Sequence, residues 1–128
     1  MIKKEKPATL SLIYTTVGNL AQAGRLADQL IDLKFAACVQ ILNPIRSVYV
    51  WKGQKTQSRE TGLLIKTSKA RLKECLDWVE SNHPYETPLI LRADSVAVSS
   101  GYSVWLEIEL KLANRTSGQA QRRKRRTK

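Results

Sequence analysis

Residues 36–51, AACVQILNPIRSVYVW, and residues 58–67, SRETGLLIKT, are two apolar runs joined by the polar link KGQKTQ. Runs rich in β-branched and aromatic residues read as strands, and a short polar link between them reads as a hairpin. Asn43-Pro44 breaks the first run. Proline has no amide to give to a ladder, so a bulge or bend is expected there. Successive side chains of a strand point to opposite faces. Cys38, Leu42, Val48, Val50 and Leu64 therefore cannot all share a face with Val39, Ile41, Tyr49, Leu63 and Ile65. The hairpin is apolar on both sides, and both sides need cover.

The flanking segments supply one cover. Residues 9–16, TLSLIYTT, read as a strand ended by Gly18. Asn19 is placed to cap a helix running to about Lys34, with Leu20, Ala23, Leu26, Ala27, Leu30 and Ile31 on one face. Ser68 caps a second helix with Leu72, Cys75, Leu76 and Val79 inward. That helix ends at Asn82-His83, because Pro84 disfavours helical geometry in the residue before it. Residues 88–98, PLILRADSVAV, read as a further strand. The order β-α-β-β-α-β is the split βαβ, an α+β ferredoxin-like sandwich with an antiparallel sheet. Two helices cover one face of such a sheet. The second apolar face is expected to meet another copy of the chain. Residues 101–113, GYSVWLEIELKLA, fit both a helical and an alternating template.

With 128 residues, 42% of them hydrophobic, the chain has enough for one folded domain. No apolar run reaches the roughly 18 residues of a membrane span. The start, MIKKEKPATLSLIYTT, reads as no secretory signal. Cys38 and Cys75 form no CxxC pair and read as buried free thiols. A cytoplasmic protein is expected. The net charge of +11 is concentrated at the end: residues 114–128 carry seven basic side chains and no acid. The remainder has 15 basic against 11 acidic residues. The expected division is a flexible arm over 1–8, a folded domain over 9–113 and a disordered basic tail over 114–128.

Two groups of residues invite a chemical reading. The first is SNHPYETP, residues 81–88, around the single histidine, His83. His83 either caps the helix end, where a cation suits the dipole, or ligates. Tyr85 and Glu86 follow it, one an interface packer or cleft residue, the other solvated or a ligand. The second lies on the hairpin. Glu60, Gly62, Leu64 and Lys66 share a strand face, with Tyr49 and Trp51 on the paired strand. A lysine and a glutamate in an apolar strand are costly to bury unpaired. They form either an interface ion pair or, with Lys66 on a small anionic ligand and Trp51 and Tyr49 as walls, a binding cleft. The tail cluster Arg122, Arg123, Lys124, Arg125 and Arg126 has the charge to bind phosphate backbones. One histidine, with no nucleophile motif, Gly-rich phosphate loop, CxxC or HExxH, reads as a non-enzyme.

The segments AACVQILNPIRSVYVWKG, ETGLLIKT and HPYETP, in this order and with Trp105 near the domain end, resemble the CutA family of divalent-cation tolerance proteins. The resemblance covers about residues 9–113. It implies a ferredoxin-like fold with an added C-terminal helix, and it makes residues 102–112 helical. It implies a homotrimer whose long strands pair between subunits, similar in architecture to PII-type signalling proteins. It also implies a link to tolerance of copper and other divalent metals, and clefts between subunits bordered by Tyr49, Trp51, Glu60, Lys66 and Tyr85. Copper-linked bacterial members carry a cysteine where Tyr14 stands and a histidine pair where Asn82-His83 stands. Only His83 carries over, and phenol, amide and one imidazole are a poor copper set. The expected function is a non-enzymatic trimer binding Cu(II) or another divalent cation weakly, through His83 and Glu86, or a small ligand at the clefts. The alternatives are a PII-like signalling or interaction module with incidental metal binding, and nucleic-acid association through the tail.

Overall fold

Thr9–Val17 forms β1, and Asn19 then starts α1, Leu20–Asp32. The Asn19 side chain accepts the Gln22 amide at 2.9 Å, satisfying a donor with no partner inside the helix. α1 stops two residues before Lys34, which takes up a left-handed conformation at φ 64°. Cys38–Ile41 is β2 and Ile45–Trp51 is β3, separated at Asn43-Pro44 as the proline requires. Gln54–Thr67 is β4. Ser68 caps α2, Lys69–Asn82, by accepting the Arg71 amide at 3.2 Å. Ile90–Ala97 is β5, and residues 100–111 form a last helix, α3. This computed structural model describes residues 7–111. Most of the expected arm over 1–8, and all of the tail with Arg122–Arg126, lie outside the described residues. Among these, no helix is long and apolar enough to cross a membrane.

The sheet runs β2-β4-β1-β5, all antiparallel, and β3 also pairs with β4. β4 is the axis of this arrangement. Its inner half, from Thr61 onward, pairs with β1 on one side, while β2 takes Leu63 to Lys66 on the other. Its outer half, residues 54–60, pairs with β3 alone. Among the described residues, the second edge of that half has no strand beside it.

The hairpin corrects the sequence reading in one respect. KGQKTQ is not a six-residue link. Lys52 and Gly53 both take positive φ, 50° and 79°, so the turn is two residues long and β4 begins at Gln54. Positive φ at both central residues matches the right-handed twist of the flanking strands. Polar composition concealed the strand, because residues 54–58 lie on a projecting ribbon with little to bury.

α1 and α2 lie on one face, over Ile13, Val17, Leu63 and Ile65, with Leu30, Cys75 and Val79 packed against them. Leu20, expected on the inner face of α1, is 56% exposed, because it sits in the first turn at the sheet's end. Cys38 and Cys75 are free thiols, only Cys75 fully buried, and burial pushes its thiol up to about 12. The second face is divided. α3 covers one end through Leu106 and Leu110, which close on Leu10 beside the register shift in the β1–β5 ladder. The other end, with Tyr14, Gly62 and Glu60, stays open beneath the hairpin.

Gly62 sets how closely that open end packs. A Cβ there would lie 3.0 Å from Tyr14 Oη and 3.1 Å from Leu42 Cδ1. Gly62→Ala is expected to cost about 1–3 kcal/mol, the usual penalty for overpacking. Urea denaturation at fixed protein concentration measures it. Adding Tyr14→Phe, which deletes the nearest atom, should return part of the loss, and an additive result would contradict the packing argument.

Candidate functional site

Glu60 is the first residue of β4 beyond the ladder with β1, whose last pair is Val17 with Thr61. It therefore sits where the sheet ends and the ribbon continues. Its face of the ribbon also carries Ile45, Ser47, Tyr49, Trp51 and Thr56, since these positions alternate in register with it. Thr16, two pairs along the same face of β1, donates to Glu60 Oε2 at 3.0 Å. The Tyr85 hydroxyl donates to the same oxygen at 3.0 Å. Burial alone would push the Glu60 carboxyl up. Hydrogen bonds from Ser47, Thr16 and Tyr85, with the field of His83, outweigh it and hold the carboxyl below its ordinary 4.5. Glu60 is thus an anion at neutral pH, gripped by hydroxyls from three separate segments.

His83 is the C-cap residue of α2. Its Nδ1 accepts the Tyr85 amide at 3.0 Å, so the proton of the neutral ring resides on Nε2. Nε2 lies 2.9 Å from the Thr16 carbonyl and 2.9 Å from Thr15 Oγ1, whose own hydroxyl donates to the Leu89 carbonyl at 2.7 Å. Burial pushes the imidazole below its ordinary 6.5, against the opposing pull of the Thr16 carbonyl and Glu60. The ring is a neutral strut between β1 and the loop after α2. Its role at the helix end is therefore not that of a charged cap. Asn82 turns back instead, donating to the Trp78 carbonyl at 2.8 Å. The His83 and Tyr85 rings meet in a tilted pair, centroids 4.9 Å apart and planes at 59°. The strut aims Tyr85 at Glu60. Burial and the Glu60 carboxylate push the Tyr85 phenol up to about 12, so it stays a donor throughout the neutral range.

Glu60 borders an open cleft of about 740 Å³. Tyr14, Tyr49, Trp51 and Tyr85 line it, with Glu86 as a second acid. The structure thus brings together Tyr49, Trp51, Glu60, Tyr85 and Glu86. It does not bring Lys66 to them. Lys66 shares the strand face with Glu60 but stands six residues along, about 20 Å at 3.3 Å per residue. Its Nζ lies 5.3 Å over the Tyr102 ring, beside a smaller recess under α3. Lys66 of one chain therefore does not reach the cleft that the same chain's Trp51 and Glu60 border. Among the described residues, no group of three or more His, Cys, Asp or Glu side chains is arranged to hold a metal. His83 and Glu86 are not a ready pair, since both ring nitrogens of His83 already have partners. The residues missed from sequence are Thr16 and Ser47, and Tyr14, read there only as a replaced metal ligand, proves to line the cleft. Alternation gave their faces, but only the strand register shows that Thr16 and Ser47 converge on Glu60.

Known proteins match this chain in sequence and in fold. The family model described as CutA1 divalent ion tolerance protein matches residues 11–109. A divalent-cation tolerance protein CutA from Pectobacterium atrosepticum is 35% identical over 100 residues, covering 78% of this chain and 91% of that protein. The chloroplastic protein CutA of Arabidopsis thaliana is 33% identical over 107 residues, covering 84% of this chain and 59% of the plant protein. The chain therefore spans most of the bacterial relative and under two thirds of the plant one. The structure of CutA from Synechococcus elongatus matches with a TM-score of 0.75 at 36% identity, covering 80% of this chain and 91% of the other.

The His83 strut makes stability depend on pH. Its folded pKa lies below the unfolded value, so the unfolded chain binds the proton more readily. Stability is full above about pH 6.5 and declines as pH falls from there toward the lowered folded value. The urea midpoint at fixed concentration should drop between about pH 7.5 and 5.5, a window with no other histidine to titrate. His83→Gln should start lower and stay level across that window. A wild-type midpoint unchanged over the same window would contradict the strut.

Proposed function

The chain belongs to the CutA1 divalent ion tolerance family, and from that premise we propose that it is a non-enzymatic homotrimer that binds a small ligand in the cleft over Glu60. The observation that carries the cleft is the ionised Glu60, held by several hydroxyls at the edge of an aromatic-walled space. A charge kept in place by oriented donors is organised for a partner before any partner arrives. Assembly is supported by what one chain leaves open. Val50 is 70% exposed and Leu91 54%, and the outer half of β4 offers an unpaired edge. Unpaired edges and apolar faces of this kind are normally covered by another chain. A trimer covers them with copies of the same surface and sets the clefts between subunits.

For divalent cations the oxygen donors of Glu60 and Glu86 matter more than His83. Carboxylates suit hard cations, and copper favours imidazole and thiolate. Tyr14 brings a phenol to this face, and copper reaches His83 only by breaking a bond that holds the Tyr85 loop. Copper binding by this chain is accordingly weak. The free thiols suit a reducing compartment, which we take to be the cytoplasm.

Sedimentation equilibrium tests the assembly on which the cleft depends. The full chain should sediment as a trimer that does not dissociate at micromolar concentration. Val50→Glu, which puts a charge on the exposed ribbon, should shift it toward smaller species. A wild-type monomer at that concentration would overturn the proposal.

A further inference from the structure

The cleft over Glu60 has a sign opposite to that of the chain around it. The whole protein carries 22 basic and 11 acidic side chains, a net charge of +11. The residues lining the cleft include two acids, Glu60 and Glu86, and neither lysine nor arginine. The nearest basic residue on the Glu60 face of β4, Lys66, is engaged over Tyr102 and about 20 Å away. Within one chain, an anion entering this space meets two carboxylates and no counter-charge.

Its walls narrow the ligand further. Four aromatic side chains, Tyr14, Tyr49, Trp51 and Tyr85, border it, and Trp51 is 57% exposed. The face of an aromatic ring is negative, and it attracts a cation within about 6 Å of its centre. A bare divalent ion uses such a wall poorly. It needs six or more oxygen donors close by, or keeps its water, whereas this cleft of about 740 Å³ offers two carboxylates across a far larger space. That volume falls in the range of about 300–1,000 Å³ found for organic ligands. Glu60 is also organised in a particular way. Thr16 and Tyr85 both donate to Oε2, so neither engages Oε1.

From this juxtaposition of ring faces and a held carboxylate we propose that the cleft is a site for a small organic cation. Its ammonium charge sits at Glu60, and its carbon groups lie against Trp51 and Tyr49. The inference rests on the reading of the cleft as a ligand site and gives that site a chemical class. Primary amines and quaternary ammonium ions share the needed chemistry. A quaternary ion relies on the ring faces, and an amine adds hydrogen bonds to the carboxylates.

The test uses the full-length protein in its native assembly, labelled with ¹⁵N, and follows the indole N–H resonance of Trp51. Trp51→Phe identifies that resonance. The probes are tetramethylammonium, spermidine, citrate and Mg(II), each at matched ionic strength. Tetramethylammonium or spermidine should shift the Trp51 signal saturably, and the tighter of the two tells which kind of cation the walls select. Citrate should leave it in place. Glu60→Gln, which keeps an acceptor for Thr16 and Tyr85, should weaken cation binding about two- to fivefold. Should that variant fail to fold, raising the salt concentration in the wild type must weaken the same titration. If citrate or Mg(II) shifts Trp51 and neither organic cation does, the cleft binds ligands but the class is wrong, and the inference is overturned. If no probe of either sign shifts it, the cleft reading fails and takes the inference with it. Undiminished cation binding in a folded Glu60→Gln variant also overturns it.

Discussion

A carboxylate bound by hydroxyls from three distant parts of the chain ties the open end of this molecule together. Thr16 reaches Glu60 from β1, Ser47 from β3 and Tyr85 from the loop after α2. Each donor belongs to an element that another constraint positions. β1 and β4 are held in register by their ladder, β3 is fixed by the two-residue turn at Lys52-Gly53, and the loop is fixed by His83. Removing the charge from Glu60 would therefore leave three donors aimed at a weaker acceptor. The placement of Glu60 follows from strand length. β4 outruns β1 by seven residues, 54–60, and Glu60 is the one adjoining the sheet.

The only histidine in the chain serves this arrangement from behind the sheet. One ring nitrogen accepts a hydrogen bond from the Tyr85 amide and the other faces the Thr16 carbonyl, so one side chain spans both ends of the Glu60 network. That role needs a neutral ring. Burial favours the neutral form, and a protonated ring would present a donor to the Tyr85 amide instead of an acceptor. A residue doing this is poorly placed to hold a metal as well.

Much of the fold was legible because it rests on local chemistry. Asn19 and Ser68 announce their helices, Pro44 breaks the strand run and Pro84 ends α2. Apolar alternation on β4 showed that both faces of the sheet need cover. The fate of residues 100–111 was not legible from periodicity, since Val104, Leu106, Ile108 and Leu110 alternate as well as any strand. The helix forms because Leu106 and Leu110, one turn apart, close on Leu10. The site was legible as a set of residues and illegible as a geometry. Tyr49, Trp51, Glu60 and Tyr85 could be named in advance. That Lys66 stands apart from them follows from rise along a strand, and that Thr16 and Ser47 join them follows from register, neither of which a residue pattern records.

The account stands on Glu60 being an anion held below its ordinary range. A pH titration of its side-chain carboxyl carbon by ¹³C NMR, in the intact assembly, measures this directly. The midpoint should fall below 4.5 and rise toward it in Tyr85→Phe, which deletes one donor. A wild-type midpoint at or above 4.5 would mean that burial outweighs the hydroxyls, and that they do not stabilise the Glu60 charge as the account requires.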